Sequence, residues 1–174
     1  LLLGPLPLVV GAWARVARPA MARHLSAGNN PAVVRLTAQG LVYVLVVAAC
    51  YCLALFIIWP FASEQFFHGK YPDVGMMTLA WACYMVVVVA HMVLSVPLQA
   101  AMRMKELAKV TIATAVLTCL LLCYLATGVH AIFAVVAATA AEVVALLWIV
   151  VLVARMSREI VPEAAVRTAG EMVP

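Results

Sequence analysis

Four long apolar runs decide what this chain can fold into. Residues 41–61, LVYVLVVAACYCLALFIIWPF, hold no charge over 21 positions, and residues 74–96, 110–127 and 132–153 follow with runs of 23, 18 and 22. A helix needs about 20 apolar residues to cross roughly 30 Å of hydrocarbon. Only helices or closed barrels satisfy every backbone group there, and these runs do not alternate as barrel strands would. A soluble core is excluded by composition. Of the 174 residues, 68% are hydrophobic and 10% charged, against about half and a quarter in a soluble domain. A chain of this size has too much surface to hide the excess. The reading is an all-α integral membrane protein, a polytopic bundle with four complete transmembrane helices.

The rest of the chain is arranged around those runs. Residues 1–13, LLLGPLPLVVGAW, are too few to span and lack the basic start and cleavage site of a signal peptide. With no initiating Met, they read as the end of a transmembrane helix cut at Leu1. Residues 14–40 form a basic segment and the start of the next helix. Within it, ARVARPAMARHLSAGNN suits either a helix lying at the membrane surface or a linker. Asn30 before Pro31 predicts an N-cap with Pro at the first helical position, and the helix should continue straight into the membrane. Residues 154–174 form a tail whose end, EIVPEAAVRTAGEMVP, is expected to fray.

Charge sets the orientation. Ten of the eleven Lys and Arg fall in 14–40, 97–109 or the tail, and Lys70 alone lies in the other two connections. The positive-inside rule makes the basic side, and the C-terminus, cytoplasmic. The net charge of +4 is a topology signal, and charges split among three short segments do not make a nucleic-acid surface.

The polar stretch FFHGKYPDVG, residues 66–75, is then an outward-facing turn. Gly69 and Pro72 break the helices, and Trp59 and Tyr71 sit where aromatic rings favour the interface. His68 and Asp73 have no nucleophile or third partner, which argues against an acid–base site. Cys50, Cys52, Cys83, Cys119 and Cys123 all fall inside the runs without zinc spacing, and read as small core residues. No phosphate loop or hydrolase motif occurs, so no catalytic residue, metal or cofactor is assigned.

Two ionisable residues enter the lipid zone, where such groups face protein or water. Glu142 lies mid-run beside Ala134, Ala138, Ala141 and Ala145, a stripe that lets another helix approach closely. It is either a packed hydrogen bonder or a cavity group. His91 belongs to a column at helical spacing: Trp81, Tyr84, His91, Ser95 and Gln99, with Arg103 at the cytoplasmic end and Pro97 as a kink candidate. That column suits either hydrogen bonding between helices or a sugar-bearing ligand in a wet cavity. Thr111, Thr114 and Thr118 read as packing groups.

The order of segments carries a resemblance. A basic stretch RPAMARHLSAGN, a span, an outer turn with Gly69 and Tyr71, a span, a basic loop MRMKELAK and a closing hairpin YLATGVHAIFAVVAATAAEVV follow one another. This resembles the C-terminal region of bacterial polysaccharide-biosynthesis (O-antigen) flippases, in the multidrug/oligosaccharidyl-lipid/polysaccharide exporter superfamily, over nearly the whole chain. Gly69 and Tyr71 stand one residue closer than in that pattern. Gly128 and Ala131 resemble the turn opening the last helix, with His130 in place of a second Gly.

The resemblance implies the C-terminal lobe of a two-lobe transporter of twelve or more helices, in the bacterial inner membrane. It would flip a polyprenyl-pyrophosphate-linked oligosaccharide without covalent chemistry. The candidate cavity residues are Tyr84, His91, Ser95, Gln99, Arg103 and Glu142. The implied partners are the lipid-linked glycan, membrane lipids, the N-terminal lobe and the polysaccharide polymerase machinery. A drug or cation antiporter of the superfamily, a membrane-embedded glycosyltransferase or acyltransferase, and a passive membrane scaffold are the alternatives.

Overall fold

The structure is a computed structural model. It describes residues 4–67, 74–125 and 132–170, with backbone alone at 59–60, 62–67, 74, 125 and 157–170. Every described element is an α-helix: α1 Pro5–Ser26, α2 Asn30–Phe67, α3 Val74–Ala100, α4 Met104–Leu125 and α5 Ile132–Gly170. Among the described residues four stretches are long and apolar enough to cross a membrane: Asn30–Ile58, Gly75–Ala100, Met104–Tyr124 and Ile132–Met156. The run of four valines at 86–89 is helical despite its β-branching, because in lipid a helix satisfies the backbone within the segment.

The outer faces carry the same message. Phe56 is 73% exposed, Phe61 68% and Leu120 62%. In water such surfaces would aggregate; in a bilayer they meet their solvent. This is a multi-pass α-helical membrane protein.

Helix α3 is the centre of the bundle, packing on α1, α2, α4 and α5. On one side Leu6 and Val10 of α1 and Val44 and Ala48 of α2 close over Val89 and Val93. Towards the end of α3, Ala14, Ala17 and Met21 of α1 and Val33 of α2 close over Val96. On the other side Leu98 packs with Val110 of α4 and with Ala145, Ile149 and Met156 of α5.

Helix α1 departs from expectation. No break falls at residue 13: the apolar start and the basic segment are one helix, whose buried face runs from Leu6 to Met21 at spacings of three and four. That stripe packs along α2 and α3. The fourth run also continues beyond its expected end. The tail expected to fray after Arg158 is helical to Gly170, since its Ala, Glu and Arg residues are good helix formers.

The two described connections are tight Schellman turns. At the end of α1, Gly28 N donates to Leu25 O at 3.0 Å and Asn29 N to His24 O at 2.9 Å, with Gly28 at φ +69°. At the end of α3, Met102 N donates to Gln99 O at 3.1 Å and Arg103 N to Leu98 O at 3.0 Å. Met102 takes the left-handed position at φ +58°, which glycine ordinarily fills.

The start of α2 corrects the expected cap by one residue. Asn29, not Asn30, caps the helix, its Oδ1 accepting from Ala32 N at 3.3 Å. Asn30 is already helical and buried, and its Oδ1 finds no hydrogen bond among the described residues. Pro31 accordingly occupies the second helical position. The outer turn with His68, Gly69, Lys70, Tyr71, Pro72 and Asp73, the hairpin turn with Gly128, His130 and Ala131, and the Trp59 side chain lie outside the described residues.

Candidate functional site

Glu142 and His91 come from different helices and meet. His91 Nδ1 stands 2.7 Å from Glu142 Oε2, across 51 residues of chain, with side chains 18% and 20% exposed. Leu98 and Ile149, the same interval apart, share a cluster, so α3 and α5 run in the same direction at a constant register. The sequence placed both residues in the lipid zone but offered no signal that they pair.

The close approach is made by small side chains, though not all of those expected. Ala141 and Ala145 are fully buried on α5, as the predicted stripe requires, and Ala137 is buried with them. Ala134 is exposed and Ala138 half-buried. The buried row on α5 is 137–141–145, continued by Ile149, and Ala145 and Ile149 pack with Leu98 of α3 and Val110 of α4. Ala80 and Cys83 of α3 and Val135, Thr139 and Val143 of α5 line an open groove of about 440 Å³.

The remaining column members are arranged along α3. Trp81 and Tyr84 meet edge to face, with ring centroids 5.5 Å apart at 85°. Ser95 is buried; its Oγ donates to Met92 O at 2.7 Å and accepts from Gln99 Nε2 at 3.1 Å. Tyr84, His91 and Gln99 are half-buried. Pro97 is fully buried in the last turn. Much of the column's hydrogen-bonding capacity is therefore used between and within helices.

Arg103 closes the column and has two local tasks. Its N–H ends α3, and its carbonyl accepts from Leu107 N at 3.3 Å to begin α4. Its guanidinium lies 3.6 Å from Glu106 Oε1, and Glu106 in the first turn of α4 also suits the positive end of the helix dipole.

The hydroxyls on α4 satisfy themselves. Thr111, Thr114 and Thr118 donate to Leu107 O, Val110 O and Thr114 O at 3.0, 2.8 and 2.8 Å, which hides a polar group from lipid at little cost. The cysteines are not core residues: Cys50, Cys83, Cys119 and Cys123 are exposed, and Cys52 is half-buried. On a helix apolar all round, a small thiol faces lipid as readily as protein. Among the described residues no group of three His, Cys, Asp or Glu could hold a metal.

Fold and site together define a polytopic membrane protein with a polar joint between two parallel spans. Comparison with protein-family models, with curated proteins and with solved structures finds no match for this chain.

Proposed function

We propose that this chain is the C-terminal part of a flippase that carries a polyprenyl-pyrophosphate-linked oligosaccharide, a surface-polysaccharide repeat unit, across the bacterial cytoplasmic membrane. The observation that carries the reading is a polar column on α3, tied to Glu142 on α5, inside a bundle whose buried residues are mostly apolar. Ionisable groups at such depth mark transport pathways. The segment order that resembles the flippases supplies the cargo. Tyr84, His91 and Gln99 would offer aromatic and hydrogen-bonding groups to sugar, and Arg103 would receive the anionic head group at the cytoplasmic end, since a guanidinium binds phosphate oxygens bidentately. Transport would follow from two lobes rocking around the cavity.

Deleting the gene tests this. Lipid-linked repeat units should be fully assembled but held on the inner leaflet, with surface polymer lost. Units lacking one sugar would replace the reading with a glycosyltransferase. The His91–Glu142 pair favours one second reading, a drug or cation antiporter, for which deletion would leave the glycan unchanged and abolish efflux.

A further inference from the structure

The 2.7 Å approach of His91 Nδ1 to Glu142 Oε2 requires a proton between the two atoms. Whichever atom that proton rides on, the pair is uncharged when Nε2 also carries a proton, and has one negative charge when it does not. Between two membrane spans a net charge must be hydrated or paired.

We propose that His91 and Glu142 form a proton-dependent latch between α3 and α5. With two protons the pair is neutral and the helices close on the seam where Leu98 meets Ala145 and Ile149. Loss of one proton to water leaves Nδ1–H bonded to a carboxylate with net charge −1, and the seam parts to hydrate it. The surroundings offer no fixed compensating charge among the described residues. On α3, Tyr84 lies within electrostatic reach of Glu142. On α5 the next ionisable residue is Arg155. Helix α4 brings Cys119 and Cys123, both exposed, while Lys105, Glu106 and Lys109 sit at its first turns. Helix α2 brings Tyr51 against the α3 cluster, buries the neutral Asn30 and Thr37, and holds Cys52 within electrostatic reach of Cys83, while Arg15 and Arg18 of α1 are exposed. An open groove between α3 and α5, lined by Cys83, Thr139 and Val143, lies next to Glu142 along α5. The latch requires only that α3 and α5 cross the membrane, and so stands or falls independently of the cargo.

The test uses the full-length protein in nanodiscs of phosphatidylethanolamine and phosphatidylglycerol, with nitroxides on Cys83 and on a cysteine replacing Val144, both exposed, and other cysteines removed. Dipolar broadening should report a separation that grows on the order of 1–2 Å or more, the scale of a helix shift, as pH rises from about 5.5 to about 9. Glu142→Gln keeps an acceptor for Nδ1–H but is neutral once His91 is deprotonated, so alkaline widening should vanish. The double variant His91→Leu/Glu142→Leu, which replaces the pair with apolar side chains, should be flat across the range and guards against misfolding of the single variant. A wild-type separation independent of pH overturns the latch, as does alkaline widening that survives in Glu142→Gln or in the double variant.

Discussion

The Gly40→Ala substitution tests the packing of α1 on α2 at one atom. Gly40 lies within α2, and the indole of Trp13 covers it. A Cβ built there would stand 2.6 Å from Trp13 Cη2, and Cζ2 and Cε2 would be closer still. Two effects oppose each other. Alanine is the better helix former by about 1 kcal/mol. Against this, the ring must move by about 1 Å or more to restore contact distance, although Trp13 packs against two core clusters. Overpacking of that kind costs about 1–3 kcal/mol, so the clash wins and Gly40→Ala should destabilise by about 1 kcal/mol net. Removing the ring reverses the sign: in a Trp13→Ala background, Gly40→Ala should stabilise by about 1 kcal/mol, a coupling of about 2 kcal/mol between the sites. Reversible unfolding in mixed micelles of SDS and a mild detergent measures all four corners of the cycle. A higher unfolding midpoint for Gly40→Ala in the wild-type background would refute the reasoning, as would the same sign in both backgrounds.

Further outcomes follow from the turns and the column. Met102→Gly should raise stability by about 1 kcal/mol in the same assay, since glycine holds a positive φ without the Cβ penalty. Asn29→Ala should cost about 1 kcal/mol through loss of the cap, whereas Asn30→Ala should cost less, because the Asn30 side-chain oxygen has no described partner. Single cysteines at Lys70 and Lys105 in a Cys-free background should differ in labelling by an impermeant reagent in intact cells, with Lys70 outside; equal labelling overturns the orientation. For Arg103, export that survives both Arg103→Lys and Arg103→Gln with normal insertion assigns it to the α3–α4 turn alone. Loss in both, at normal abundance and topology, places it on the head group.

Hydrocarbon-spanning length and the absence of charge are properties of a run of residues, so the all-α membrane class and the four spans could be read from the sequence. Helix ends were less legible. Whether Asn29 or Asn30 caps α2 turns on which side chain reaches Ala32 N, and the basic segment belonged to α1 because its buried stripe found α2 and α3. In water an apolar stripe tells which face of a helix is buried. These spans are apolar all round, and lipid accepts the same side chains as protein does, so the pattern could not choose among faces. Only the tertiary structure decided that Ala137 and not Ala134 is buried, that four cysteines turn outward, and that Trp13 lies over Gly40. It also decided that His91 and Glu142, each costly alone in the bilayer, share one hydrogen bond, because pairing residues 51 positions apart depends on the register of two parallel helices and not on anything local to either.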